Sequence, residues 1–149
     1  MKKHYGHRIR ILHHAMDQTM TSALESMELT AAQGRIMGYI TRRKSPPCAR
    51  DIEDEFCLSH PTVSGILSRL EKKGFIEFRS DEQDKRCKRI HMLAKGKECT
   101  QLMYQTICNN EEKMVTDFSQ EERELFSALL DRAITNLGIN PICPRNKEE

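Results

Sequence analysis

Residues 50–96 read RDIEDEFCLSHPTVSGILSRLEKKGFIEFRSDEQDKRCKRIHMLAKG, and the reading of this stretch decides the fold. Just before and into it, Ala49 to Phe56 sets Ala49, Ile52 and Phe56 on one stripe, with Arg50, Asp51, Glu53 and Asp54 outside, which predicts a short helix. Leu58-Ser59-His60-Pro61 restarts a helix, with Ser59 as its N-cap and Pro61 in the first turn, where backbone amides have no intrahelical partner. At about 100° per residue, Val63, Ile66, Leu67 and Leu70 cluster on an apolar stripe. Pro61, Gly65, Ser68, Arg69 and Lys72 fall opposite, flanked by Thr62 and Ser64. Gly74 stops this helix. Phe75 to Arg79 and Arg89 to Leu93 have strand composition, and the polar loop Ser80 to Lys88 joins them into a hairpin. Helix, turn, helix and charged hairpin in this order predict a winged helix-turn-helix.

Outward from this stretch the chain is helical. Tyr5 to Met27 places Ile9, Leu12, Ala15 or Met16, Thr19 and Ala23 or Leu24 at amphipathic spacing. Thr30-Ala-Ala-Gln33 is a capping box that opens a second helix, which must end by Ser45-Pro46-Pro47. After Lys95-Gly96 a long helix carries Leu102, Met103, Ile107 and Met114 to about Thr116. Ser119-Gln-Glu-Glu122 is a further capping box, and Leu125, Phe126, Leu129, Leu130, Ala133, Ile134 and Leu137 form a broad apolar face up to Gly138. A charged tail covers 139–149. The expected fold class is mainly α with a small β-hairpin wing.

Composition fits one domain over 1–149, large enough to bury a core without disulfides or metal. The net charge of +2 is uninformative, but its distribution is not. From Ser59 to Lys97 ten Lys and Arg stand against five Asp and Glu, a local excess of about five positive charges. Cys48, Cys57, Cys87, Cys99, Cys108 and Cys143 form no C-x-x-C pair and do not suggest a disulfide framework. No signal peptide opens the chain and no apolar run reaches membrane-spanning length, so a cytoplasmic protein with no membrane partner is expected.

The order of helices, the segment LSHPTVSGILSRLEKKGFIE, and Asp84-Lys85-Arg86 followed by a strand and Lys95-Gly96 resemble the MarR family of bacterial transcriptional regulators over nearly the whole chain. The resemblance implies a homodimer whose terminal helices, 1–28 and 97–138, interlock. The winged helix region, 30–96, then meets double-stranded DNA at an inverted repeat, with half-sites about 10 base pairs apart. It also implies that the helix from about Ser59 to Lys73 enters the major groove while the wing Arg reaches the adjacent minor groove. The residues expected at DNA are Ser59, Pro61, Thr62, Ser64, Ser68, Arg69 and Lys72 on the helix, with Lys85 and Arg86 on the wing. Physical chemistry supports these roles independently. Small residues let a helix approach closely, Arg69 can grip a guanine edge or a phosphate, and Arg86 suits the negative potential of a narrow minor groove. Asp84 is expected to support the wing by orienting Arg86 or a neighbour, since an acid facing phosphate would cost affinity.

Other chemistry is weaker in the pattern. His4, His7, His13 and His14 have no Cys or carboxylate at a convincing ligand spacing, so no metal or other cofactor is expected. Cys87, between Arg86 and Lys88, is the candidate redox residue, because an electropositive setting lowers a thiol pKa. Family members often bind small aromatic or phenolic effectors, and Met16 and Met37, with Met20 and Met103, are candidates for such a cleft, against the commoner use of methionine as core. No paired carboxylates, Ser-His-Asp set or phosphate-cradling Gly loop supports an enzyme. The function expected is a repressor released by a small ligand or an oxidant. The alternative is a winged-helix protein-interaction module without specific DNA binding.

Overall fold

The computed structural model describes residues 4–81 and 87–138. Its elements are α1 (Tyr5–Ser26), α2 (Ala31–Arg42), α3 (Ala49–Phe56), α4 (His60–Lys72), β1 (Ile76–Ser80), β2 (Lys88–Met92), α5 (Ala94–Met114) and α6 (Gln120–Asn136). Two compact units divide the chain, 1–110 and 111–149. The expected class, mainly α with a two-stranded antiparallel hairpin, is what the chain forms.

Local chemistry sets the helix ends. At α2 the Gln33 amide donates to Thr30 Oγ1 (3.3 Å) and the Thr30 amide donates to Gln33 Oε1 (2.9 Å), completing the expected capping box. Prolines 46 and 47 lie beyond its end at Arg42. Cys48 is the N-cap of α3, and its amide donates to Asp51 Oδ2 (2.7 Å), so Asp51, off the apolar stripe, caps the helix. At the end of α4, Gly74 adopts φ +77°. There its amide bonds the Glu71 carbonyl (2.9 Å) and the Phe75 amide bonds the Leu70 carbonyl (3.0 Å), a Schellman motif. Phe75 is thereby drawn out of the strand the sequence suggested, and β1 starts at Ile76.

In the first unit α4 is the hub. Its Val63, Ile66, Leu67 and Leu70 are buried together with Ile36, Met37 and Ile40 of α2, Ile52 of α3, Phe75, Ile76 and Ile90. Full burial of an aliphatic side chain of this size contributes about 1.5–3 kcal/mol, so this cluster holds the helix-turn-helix and hairpin as one body. The hairpin pairs Ile76 with Met92, Phe78 with Ile90 and Ser80 with Lys88. A bond from the Ile90 amide to the Pro47 carbonyl (2.8 Å) then ties β2 to the chain just before α3. Gly96, in the first turn of α5, sits so close to the Phe75 carbonyl and Met92 that a Cβ would lie 2.4 Å from that oxygen.

In the second unit Ser119 and Glu122 form the capping box expected for α6: the Glu122 amide donates to Ser119 Oγ (3.2 Å) and the Ser119 amide to Glu122 Oε2 (2.8 Å). Phe118 packs edge-to-face on Phe126 at 5.8 Å, and Arg123 pairs with Glu112 at 3.1 Å. No residue of α6 is buried, and Leu125, Leu129, Leu130 and Leu137 are exposed. In the first unit, Ile9, Ile11 and Leu12 of α1 and Leu102 and Ile107 of α5 are exposed as well.

Candidate nucleic-acid interface

The two faces of α4 separate as its periodicity predicts. Val63 and Leu70 have no exposed surface, while Ser59, Pro61, Thr62, Ser64, Ser68, Arg69 and Lys72 are all exposed. Gly65 and the small side chains at 61, 64 and 68 leave that face flat, and Arg69 and Lys72 stand at its C-terminal end. Ser59 takes the N-cap backbone conformation, but its hydroxyl meets the Thr62 hydroxyl (2.9 Å) and caps no amide. Pro61, in the second position of the helix, has no N–H to offer it.

The helix-turn-helix corner is braced from both sides. Cys57 ends α3 in the left-handed region at φ 51°, and the Leu58 amide returns to the Glu53 carbonyl (3.1 Å). His60 Nδ1 lies 2.6 Å from Glu53 Oε1, linking the start of α4 to α3. Across the far end, Lys73 Nζ donates to the Glu28 carbonyl and Lys95 Nζ to the Lys73 carbonyl, the latter at 2.9 Å.

Of the wing residues expected at DNA, Lys85 and Arg86, with the supporting Asp84, lie outside the described residues. The base of the wing is described. Arg89 Nε donates to Asp81 Oδ2 (2.7 Å), and its Nη1 reaches the Pro46 carbonyl (3.4 Å). The Asp81 hydrogen bond raises the Arg89 pKa. Arg79, opposite Arg89 in the ladder, is held by Glu77 through Nε (2.7 Å). Sequence reasoning named Arg89 only as a strand residue, because its pairing with Asp81 depends on the hairpin register.

Between α3, α4 and the hairpin lies a cleft of about 490 Å³, walled by Arg50, His60, Ser64, Ser68, Cys87 and Lys88 among others. Arg50 and Lys88 bring two further cations to the cleft beside α4, where Glu71 also lies, and neither was named among the residues expected at DNA. Arg50 follows an apolar stripe that marks only the buried side of α3, and no local signal brings Lys88 to α4.

Two expectations are corrected here. The Cys87 thiol pKa is raised, not lowered: burial is the largest cause, the Cys48 thiol beside it adds to the rise, and Arg89 opposes it only in part. Met37 is fully buried in the core, enclosed by the cluster around α4, and not on a cleft wall, whereas Met16 is half-buried on α1. Among the described residues, no group of three or more His, Cys, Asp or Glu is placed to hold a metal ion, and no helix is long and apolar enough to cross a membrane.

Residues 29–88 match the model of the MarR family, which takes in α2, the helix-turn-helix and β1 and ends at the first residue of β2. The HTH-type transcriptional regulator YybA of Bacillus subtilis is 26% identical over 117 residues, 78% of each chain. MepR, a transcription regulator of the Staphylococcus aureus multidrug efflux pump MepA, superposes with a TM-score of 0.80 at 28% identity, over 91% of this chain and 99% of that one. A crystal structure of the S. aureus MepR–DNA complex matches with a TM-score of 0.76 at 29% identity, over 89% of this chain and 99% of that one. In its reading head by sequence and along most of its length by fold, the chain is similar to the MarR family of transcriptional regulators.

Proposed function

We propose that this regulator acts in the cytoplasm as a homodimeric repressor on an inverted-repeat operator, with α4 in the major groove and the wing in the neighbouring minor groove. The observation that carries the reading is the division of α4: an apolar side with no exposed surface at Val63 and Leu70, and an opposite side of small, hydroxylic and basic residues. A helix of this kind fits a groove about 12 Å wide without a steric penalty. The structural neighbour MepR has been solved with DNA, which supports the same use of the fold.

The partner of the dimer is a second copy of the chain. Support comes from the exposed apolar side chains on the terminal helices, Ile9 and Leu12 on α1 and Leu125 and Leu129 on α6, which a soluble monomer would leave in water. Release follows when a small aromatic or phenolic effector, or an oxidant, alters the spacing of the two heads. Met16, half-buried on α1, remains a candidate for the effector's contact surface.

Selection of bound duplexes from a random pool tests the reading. An enriched inverted repeat with half-sites about one helical turn apart is the expected result. The affinity should then fall steeply with salt through counterion release. A pool that shows no enrichment, with a protein that still captures other proteins through α4, would replace this reading with an interaction module.

A further inference from the structure

Two thiols that are far apart in the sequence share the cleft beside α4. Cys48 stands at the N-terminus of α3 and Cys87 immediately before β2, both are free and half-buried, and both line the same cavity wall. The backbone on either side of them is already joined. The Ile90 amide donates to the Pro47 carbonyl at 2.8 Å, Arg89 reaches the Pro46 carbonyl at 3.4 Å, and the Asp81 amide donates to the Cys87 carbonyl at 3.0 Å. The Cys48 thiol is near enough to Cys87 to help push its pKa up. Of the three other described cysteines, Cys57 is turned to the Asp54 carbonyl (3.9 Å), Cys99 is buried against Met27, and Cys108 lies on α5 and does not line this cleft.

We propose that Cys48 and Cys87 form a reversible intrachain disulfide that staples the base of the wing to the start of α3 when the protein meets a hydroperoxide. One sulfur attacks the O–O bond of the hydroperoxide, becoming a sulfenic acid, while its proton leaves on the departing oxygen as water or an alcohol. The second sulfur then attacks the sulfenic sulfur. The S–S bond forms, the S–O bond breaks, and the oxygen leaves as water with the second thiol's proton. The peroxide takes up the two electrons, and a dithiol reductant restores both thiols by exchange. Cys48 and Cys87 are both partly exposed, which gives the peroxide its route.

A disulfide requires a bond of about 2.05 Å and a defined approach of the two Cβ atoms. Forming the bond therefore pulls the base of β2 toward α3 and moves Lys88 relative to Ser64 and Ser68 across the cleft. The effect on DNA rests on the regulator reading above. The disulfide itself does not.

The test takes the full chain, treats it with hydrogen peroxide, alkylates the remaining thiols and maps tryptic peptides with and without dithiothreitol. The expected result is a link between peptides 45–50 and 87–88. It should be reversed by dithiothreitol, absent in Cys48→Ser and in Cys87→Ser, and present when the other four cysteines are serine. Cys48 and Cys87 remaining separately alkylatable after peroxide has oxidised other thiols, or linking to other cysteines, would overturn the proposal. On the duplex enriched from the random pool, the oxidised chain should bind about tenfold more weakly, the scale of one lost groove contact. The doubly substituted chain should be indifferent to peroxide. Equal affinity before and after oxidation would overturn the regulatory consequence. Because the peptide map contains no DNA, a chain that binds no duplex still has its disulfide decided by the map.

Discussion

His60 Nδ1 and Glu53 Oε1 stand 2.6 Å apart, so the first residue of the reading helix is tied to the helix that precedes it across the turn. The His60 side chain is 72% exposed, which limits the stability at stake to under about 1 kcal/mol. Its consequence concerns DNA. Glu53→Gln should leave thermal stability nearly unchanged and tighten binding to any duplex several-fold, because a carboxylate beside the N-terminus of α4 competes with phosphate. Titration of one selected and one unrelated duplex checks this, and a loss of affinity on both would show that the pair positions α4.

Arg69→Ala should weaken binding to the selected duplex by about 1–3 kcal/mol, the range of a good bidentate base contact, and relax preference at one base pair. Lys72→Ala should weaken all duplexes alike and lower the salt slope by about one. Both side chains are exposed, so circular dichroism and the thermal midpoint should stay within error. Arg86→Ala, at the residue the sequence assigns to the wing, should weaken operator binding while leaving the oligomeric state intact; unchanged affinity would remove the wing from the mechanism.

Ile52 has no exposed surface where α3 meets the core. Ile52→Ala should cost about 2–5 kcal/mol of unfolding free energy, read from urea denaturation, with the spread set by how far the site collapses. Cys57→Gly, by contrast, should be neutral or stabilising by up to about 1 kcal/mol, since it relieves a non-glycine side chain at φ 51°.

The Asp51 carboxyl is held below its ordinary pKa, first by the Cys48 amide hydrogen bond, against an opposing push from burial. A depressed carboxylate stabilises the fold fully above its unfolded pKa, about 4, and loses that contribution as pH falls through the folded value. Asp51→Asn should therefore cost about 1 kcal/mol at neutral pH, the scale of an N-cap, and flatten the acid limb of stability below about pH 4. Equilibrium unfolding at several pH values decides it.

Closing the Cys48–Cys87 disulfide would cross-link a loop of about 40 residues and should raise stability by about 2–4 kcal/mol if the native geometry accepts it. Because the Cys87 thiol is pushed up, its alkylation by iodoacetamide should be slow at neutral pH and should speed up as pH rises. Fast labelling at neutral pH would mean that the thiolate is stabilised after all.

Much of this protein was legible in the sequence because the relevant physics is local. Capping boxes at Thr30 and Ser119, the prolines at 46 and 47, Gly74, and the period of Val63, Ile66, Leu67 and Leu70 act within a few residues, and each element appeared where those signals put it. The resulting faces of α4 followed from 3.6-residue periodicity alone. What tertiary structure decided concerns residues that meet across long sequence separations. The pairing of Arg89 with Asp81 required the hairpin register, the enclosure of Met37 required the packing of α2 on α4, and the meeting of Cys87 with Cys48 required β2 to bond the chain before α3. Sequence neighbours made Cys87 look electropositive, whereas burial and a second thiol govern its sulfur. Helix propensity and periodicity are written along the chain, but the environment of a side chain is set by whichever distant residues the fold brings to it.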